Sequence, residues 1–379
     1  MNFTLSSEQQ MLQDSVRRFV DREYGFETRS ALLRAGVDDG HYWDTFAEQG
    51  WLCAALPELH GGLGGSGIDN LLIAQELGRG LVLQPFSGCA VLAAQTFIAA
   101  ATSLQQADWL PGLADGSQRL ALAYAEEQTR GLPEGQLARA EPVAGGYRLS
   151  GRKTLVLGGP QASAFIVSAQ TREGCSLFLV AADSPGLQLR TLPLHDGSQA
   201  AELTLERVAV DDTALLGQPG AGLDALRQGL AHGIASLCAE LVGGMERAIE
   251  ITADYLKVRQ QFGVPIGSFQ VLQHRMADMA AQLELARSSL FVLLDALENP
   301  ADHDLRLRAS QAKALVGRAA RFVCGQAIQL HGGIGTTEEC SVGHYFKRAV
   351  VADLLLGSAE RHEAWCAEHL RANLVALAR

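Results

Sequence analysis

The sequence has no surplus of basic residues and no long apolar run. Its 379 residues include 31 lysines and arginines against 42 acidic residues, which gives a formal net charge of −11. Because phosphate neutralisation needs a basic face, this balance disfavours nonspecific nucleic-acid binding. No uninterrupted apolar stretch approaches the length of a membrane span. The first residues also lack the basic and apolar regions of a secretory signal, so we expect neither a membrane span nor secretion.

The chain also lacks paired cysteines. Its seven cysteines are odd in number, widely scattered and without a Cys-x-x-Cys pair. This pattern argues against a disulfide framework and against a zinc site, and we expect no metal. A reducing cytoplasm fits such a chain. The residues that are present, 47% hydrophobic and 19% charged, describe an ordinary folded protein.

Three segments with different periodicity divide the chain. Residues 1–120 read as helices, and Ser7 with Gln10 resembles a capping box before an amphipathic run. Residues 121–222 are short apolar runs separated by turn residues, a pattern typical of a small antiparallel β-barrel. Residues 223–379 return to the helical period and predict a four-helix bundle. The predicted fold class is therefore α+β, built as three successive domains.

The last two segments allow the elements to be placed more closely. Strands are predicted at 121–125, 147–149, 154–157, 165–169, 177–181, 187–189 and 201–210. Long helices are predicted near 223–258, 268–298, 304–331 and 345–376. Pro265 and Asn299-Pro300 separate the first three of these helices.

Two short motifs carry most of the functional information. The first reads Tyr-Leu-Lys-Val-Arg-Gln-Gln-Phe-Gly-Val-Pro-Ile-Gly-Ser-Phe-Gln over residues 255–270. Tyr255 and Arg259 stand four residues apart and so share a helix face. The second motif reads Gln-Leu-His-Gly-Gly over residues 329–333. Its two glycines permit close approach of another group because they lack Cβ.

Both motifs resemble signature stretches of the flavin-dependent acyl-CoA dehydrogenases, whose architecture is also helical, β-barrel, helical. The resemblance implies that Arg259 reaches the pyrophosphate of FAD, and a guanidinium suits this contact because its fixed fork pairs bidentately with phosphate oxygens. A lone histidine such as His331 more often packs or forms hydrogen bonds than acts as an acid or base, and we expect that role here. The other residues expected on the FAD surface are Phe262, Gln270, Gln329, Gly332 and Gly333.

The resemblance also shows what this chain lacks for catalysis. Family members oxidise an acyl-CoA thioester: a carboxylate removes a proton from Cα while a hydride leaves Cβ for the flavin. The commonest position of that carboxylate corresponds to Leu356, and a minority position corresponds to Gly233. Neither residue can accept a proton. Glu240, two helical turns after Gly233, is the one nearby carboxylate that could be a relocated base, although a buried pairing with a basic side chain is the role we expect.

Two further departures from the family pattern affect the flavin side of the site. Leu155-Val156-Leu157 stands where typical members have Trp-Ile-Thr, which removes an aromatic ring and a hydroxyl donor. Ala125-Glu126-Glu127 stands where they have Thr-Glu-Pro. Together with the missing base, these changes argue against catalysis by this chain alone.

Three functional hypotheses follow. The leading one is a subunit of an FAD-dependent acyl-CoA dehydrogenase that performs α,β-dehydrogenation and pairs with a homologous large subunit carrying the glutamate. The reason is that the chain is most similar to the bacterial branch typified by the small subunit of pimeloyl-CoA dehydrogenase and by steroid side-chain dehydrogenases. Fatty-acid or steroid side-chain oxidation, with electron-transferring flavoprotein as re-oxidant, is what this resemblance implies. The second hypothesis is a non-catalytic homo-oligomer that binds acyl-CoA or serves as a structural partner. The third is an active homotetramer with a relocated base.

Overall fold

The computed structural model describes residues 5–36, 40–301 and 303–377. Its first part is helical, with α1 Ser7–Arg22, α2 Phe26–Ala35, α3 His41–Glu48, α4 Gly67–Arg79, α5 Ala94–Ala100 and α6 Ser103–Ala114. A π-helical run, Ser87–Ala93, leads directly into α5. The capping box of α1 is formed by Ser6 and Gln9, so the prediction of Ser7 with Gln10 was wrong by one residue. The helix therefore begins where the Ser6 hydroxyl oxygen accepts a hydrogen bond from the backbone amide of Gln9.

The middle part is an eight-stranded sheet. Its strands are β1 Leu120–Ala123, β2 Arg139–Val143, β3 Gly146–Leu157, β4 Ala164–Gln170, β5 Cys175–Ala181, β6 Leu187–Pro193, β7 Gln199–Asp211 and β8 Leu215–Leu216. The strand order is β6-β7-β3-β2-β4-β5-β8, and β1 lies beside β4. The pairings β1–β4 and β2–β4 are parallel, whereas the prediction had an antiparallel arrangement throughout. The remaining pairs in this sheet are antiparallel.

Two strand predictions need correction. The runs predicted at 147–149 and 154–157 belong to one continuous strand, β3. Its register against β7 shifts between Leu149 and Gly151 and again between Lys153 and Val156, and Leu155 has a φ of +50°. This irregularity interrupts the side-chain alternation and makes one strand look like two. Strand β2 was not predicted, since Ala140 is its only buried residue and it offers no apolar run.

The last part returns to helices: α7 Gly222–Val258, α8 Gln270–Glu298, α9 Leu305–His331, α10 Ser341–Leu354 and α11 Ala359–Leu377. A short hairpin, β9 Gln260–Gln261 with β10 Val264–Pro265, lies between α7 and α8. The single helix predicted at 345–376 is two helices, because Leu356 and Gly357 adopt φ values of +57° and +92° and end the helical run. The turn between α10 and α11 is the position at which the family places its commonest base.

Close helix packing joins the first and last parts. A Cβ on Gly78 of α4 would lie 2.2 Å from the carbonyl oxygen of Glu240, and a Cβ on Gly243 of α7 would lie 1.9 Å from that of Gln75. Only glycine fits at these two crossings, since real Cβ contacts are never so short. The approach of α4 to α7 fixes the position of Glu240 relative to the amino-terminal helices.

The α+β architecture of helices, central sheet and helices is confirmed, while the exact domain boundaries at 120 and 222 stay a prediction. The main hydrophobic core runs between the two helical parts, and a second core fills the sheet around Phe165 and Phe178. Across the described residues, no helix is both long and apolar enough to cross a membrane.

Candidate active site and cofactor surface

A cavity of about 420 Å³, here called the main cavity, lies between the sheet and the α10–α11 turn. Its lining includes the segments that the sequence analysis singled out on the flavin side, namely 125–127 together with Leu155 and Leu157. Leu356, from the usual base position, lines it as well. The fold therefore brings these sequence-distant segments together around one space.

Leu356 occupies the usual base position with the turn geometry intact. Its side chain is buried, and its carbonyl oxygen lies 2.9 Å from His362 Nε2. The buried ammonium of Lys313 donates to the carbonyl oxygens of Asp353 at 3.1 Å and Gly357 at 2.8 Å. Burial lowers the pKa of Lys313 to about 8 and that of His362 to about 4. Two buried polar side chains thus stabilise a turn that presents a leucine.

The second base position is closed by packing. Gly233 lies in α7 opposite the π-helical run, and a Cβ there would be 2.7 Å from Leu92 Cδ1 and 3.1 Å from Leu92 Cβ. Leu92 therefore occupies the space that a Cβ at Gly233 would need. Because Leu92 also lines the main cavity, it separates α7 from that cavity.

Glu240 is paired with a basic side chain and a hydroxyl group. Its Oε2 accepts from Arg348 Nη2 at 2.5 Å, and its Oε1 accepts from the Ser87 hydroxyl. Burial alone would lower the pKa of Arg348, but Glu240 and Asp196 raise it above its ordinary value, so the guanidinium stays charged. Both carboxylate oxygens of Glu240 have partners, which leaves it poorly placed to act as a base.

Glu126 is also committed to internal contacts. Lys153 Nζ lies 2.7 Å from Glu126 Oε1, and the amides of Leu137 and Ala138 donate to the carboxylate at 2.7 and 3.0 Å. Burial alone would raise the pKa of Glu126, but Lys153 and these amides hold it below its usual value. The carboxylates left at the rim of the main cavity are the exposed Glu127 and Glu360, neither of which the sequence analysis had considered as a base.

The residues predicted to contact FAD lie on an exposed face. Within the described ranges, the guanidinium of Arg259 forms no ion pair. Phe262 is 90% exposed at the tip of the β9–β10 hairpin, where its φ of +53° and the +79° of Gly263 fit a type I′ turn. A Cβ on Gly332 or Gly333 would meet no atom within 4 Å. Gln270 and Gln329 are exposed as well.

Tyr255 joins the two motifs. Its ring stacks on His331 with centroids 4.4 Å apart, and its hydroxyl donates to the His331 carbonyl oxygen at 3.3 Å. His331 is buried, and its Nδ1 lies 2.8 Å from the carbonyl oxygen of Ala327. The packing and hydrogen-bonding role expected for His331 is the one it has here. Of the described residues that line the main cavity, none comes from 255–270 or 329–333.

Several residues that build this region were not predicted from the sequence. Lys313 and His362 support the turn, while Ser87, Asp196 and Arg348 surround Glu240. The one available signal was a lysine among alanines on the core-facing side of α9. The other partners are distant in sequence: 108 residues separate Glu240 from Arg348. Among the residues described, no cluster of His, Cys, Asp and Glu could hold a metal ion.

Comparison with known proteins gives consistent matches along the chain. Residues 6–117 match the family model described as acyl-CoA dehydrogenase, N-terminal domain, and residues 220–370 match acyl-CoA dehydrogenase, C-terminal domain. Probable acyl-CoA dehydrogenase YngJ of Bacillus subtilis is 30% identical over 372 residues, which are 95% of this chain and 97% of that protein.

Two solved structures are similar over nearly the whole chain. A chain of the ChsE4-ChsE5 complex from Mycobacterium tuberculosis matches with a TM-score of 0.89 and 28% identity, covering 98% of this chain and 99% of that one. A chain in a structure described as the electron transferring flavoprotein of Acidaminococcus fermentans matches with a TM-score of 0.90 and 26% identity, again over 98% and 99%. The family match carries with it FAD as cofactor and oxidation of a CH–CH bond as reaction type. The chain therefore belongs to the acyl-CoA dehydrogenase family of flavoprotein oxidoreductases.

Proposed function

We propose that this chain is the base-deficient subunit of a heteromeric acyl-CoA dehydrogenase, in which a homologous partner supplies the catalytic glutamate. The observation that carries the proposal is Leu356: it lies in an intact, well-supported turn at the edge of the main cavity, and it has no group that accepts a proton. A positioned general base typically contributes about 10²–10⁴-fold in rate. A family member without a general base of its own therefore needs one from another chain in order to catalyse the reaction.

Neither the minority base position nor the carboxylates near the main cavity can replace the missing glutamate. Gly233 is packed against Leu92, Glu240 is paired with Arg348 and Ser87, and Glu126 is paired with Lys153. Glu127 and Glu360 stand at the exposed rim of the main cavity, where water competes for a proton and the carboxylate is not held in one place. The contacts at each candidate position thus support the proposal that this chain lacks a catalytic base.

The exposed face around Arg259 fits FAD binding. Gly333 has neither a positive φ nor a close neighbour that would require glycine, so an approaching ligand explains it better than packing within the chain. The guanidinium of Arg259, which forms no ion pair with the described residues, suits a pyrophosphate. When bound, FAD accepts the hydride; the role proposed for Arg259, Gln270 and Gln329 is to hold its phosphate and adenosine parts.

A second chain is needed to cover this face. The face carries exposed apolar side chains that a subunit contact would bury, namely Val258, Phe262, Val264, Val271 and Ile334. None of the described cavity-lining residues comes from the two motifs, which supports a flavin whose two ends touch different chains. The similar ChsE4-ChsE5 structure is described as a complex, and this supports an assembly of unlike chains. Electron-transferring flavoprotein is the proposed re-oxidant.

Anaerobic mixing with acyl-CoA thioesters tests the proposal, with bleaching of the flavin absorbance as readout. The chain purified alone with added FAD should show no bleaching. Its complex with a co-expressed homologous acyl-CoA dehydrogenase chain should bleach, and a Glu→Gln change at the base position of that partner should abolish the response. Bleaching by the chain alone would overturn the proposal in favour of an active homotetramer, and Glu127→Gln and Glu360→Gln would then locate the base. A complex that never binds FAD would instead favour a non-catalytic member.

A further inference from the structure

A smaller cavity adjoins the main cavity. It has a volume of about 60 Å³ and shares Leu157 and Leu356 with the main cavity, so these two leucines form the wall between them. We call it the inner cavity. Its lining is apolar in part, with Phe86 and Leu237 besides the shared leucines. Its wall also carries the charged and hydroxyl side chains of Arg29, Ser87, Asp196, Glu240 and Arg348.

These polar side chains form one connected cluster. Arg348 lies between two carboxylates, 2.5 Å from Glu240 Oε2 and 3.0 Å from Asp196 Oδ2. The Ser87 hydroxyl contacts Glu240 and lies 2.6 Å from the hydroxyl of Ser236. Arg29 is 1% exposed and donates to the carbonyl oxygen of Asp196 at 2.5 Å. Two guanidiniums and two carboxylates balance each other, so the cluster has no net charge.

The cluster has hydrogen-bonding capacity beyond its internal contacts. A guanidinium carries five N–H donors, and the two ion pairs of Arg348 leave others available. A carboxylate offers about four lone-pair positions, of which Glu240 uses two here. An apolar ligand at this wall would remove water from these groups without forming hydrogen bonds to them, which costs free energy. A neutral hydroxyl group could donate and accept hydrogen bonds at this wall, and a carbonyl group could accept them.

We propose that the inner cavity is a subsite for the far end of an acyl chain that carries a neutral hydroxyl or oxo group, contacted by Ser87, Glu240 and Arg348. The ligand enters through the main cavity and passes Leu157 and Leu356. About 10.5 Å of rise separates Gly233 from Glu240 along α7, so the polar group belongs at the end of a medium-length chain rather than next to the thioester. A carboxylate fits less well because the cluster is already neutral. This inference goes beyond the proposed function, since it concerns the cavities of this chain, whichever chain supplies the glutamate.

Equilibrium binding to the unmodified chain tests the subsite directly, by titration calorimetry with octanoyl-CoA, ω-hydroxyoctanoyl-CoA and the ω-carboxy analogue. We expect the hydroxy ester to bind about tenfold more tightly than octanoyl-CoA, as a hydrogen bond to a charged group predicts, and the carboxy ester to bind more weakly than the hydroxy ester. Equal or tighter binding of octanoyl-CoA would overturn the proposal, and so would the absence of binding by all three esters.

A pair of serine variants adds a second, independent readout. Ser87→Ala should remove most of the preference for the hydroxy ester over octanoyl-CoA. Ser30→Ala is the matched control, because the Ser30 hydroxyl donates to the Phe26 carbonyl oxygen within α2 and contributes to neither cavity. A preference that survives Ser87→Ala, or that falls equally in Ser30→Ala, would show that the cluster only braces the fold. Neither result depends on FAD or on catalysis, so failure here and failure of the proposed function are distinguishable.

Discussion

Tyr255 stacks on His331 at a centroid distance of 4.4 Å. This contact joins the end of α7, which precedes Arg259, to the end of α9, which precedes the two glycines. The tyrosine hydroxyl adds a hydrogen bond to the His331 carbonyl oxygen. The two residues are 76 apart in the sequence, and their contact joins the two motifs. The expected FAD contacts follow from this relationship.

Replacing the guanidinium should weaken FAD binding in the heteromeric complex. Arg259→Ala removes a charge-assisted contact of about 1.5–3 kcal/mol, which is about tenfold to a hundredfold in affinity. Arg259→Lys should recover part of the loss, since an ammonium lacks the fork. FAD retained after desalting gives the measurement, and Arg172→Ala, an exposed arginine in the β4–β5 turn, is the control. Full retention in Arg259→Ala would remove the residue from the FAD surface.

Gly233 and Leu92 should be coupled in stability. Gly233→Ala places a Cβ 2.7 Å from Leu92 Cδ1, and overpacking of this kind costs about 1–3 kcal/mol. The double variant Gly233→Ala with Leu92→Ala should recover that cost, so that its free energy of unfolding is less reduced than the sum of the single changes. Denaturant unfolding of the four proteins measures the coupling. Additive effects would show that Leu92 does not occupy the space beside Gly233.

His362 should make the fold sensitive to acid. Burial lowers its pKa to about 4, below the ordinary histidine value of about 6.5. The unfolded chain therefore binds the proton first, and stability that is complete above pH 6.5 is lost as the pH falls towards 4, on the order of 3 kcal/mol in all. His362→Gln retains a donor for the Leu356 carbonyl oxygen but does not titrate. Its melting temperature should depend less on pH in this window, whereas the exposed His274→Gln should follow the unmodified protein. Parallel pH profiles for all three would contradict this role.

The helical parts of the fold could largely be predicted from the sequence. Helix α7 is only one residue longer than the predicted 223–258, because apolar periodicity and the following Phe-Gly and Pro punctuation mark its ends. The α10–α11 break could not be predicted in this way. Leu354, Leu355 and Leu356 continue an apolar run, and the left-handed backbone at Leu356 is held by Lys313 and His362 from elsewhere in the fold.

The site was predictable only in part for a similar reason. Local chemistry is visible in the sequence, so the pairing of Glu240 with a basic side chain could be expected. The identity of Arg348 as that partner depends on how α10 packs beside α7. The Glu126–Lys153 pair likewise joins separate segments, and no spacing rule relates them. Tertiary contacts decide which polar residues are available for chemistry and which are already paired.

The number of FAD molecules per chain shows whether one flavin site is shared between two unlike subunits. The complex of this chain with its homologous partner, purified after co-expression, should contain about one FAD per two chains, because one complete flavin site is shared between unlike subunits. Flavin absorbance in denatured samples of known protein concentration gives the ratio. We expect this half occupancy, together with loss of flavin from the complex in Arg259→Ala. A stable homotetramer of this chain alone with one FAD per chain would contradict it.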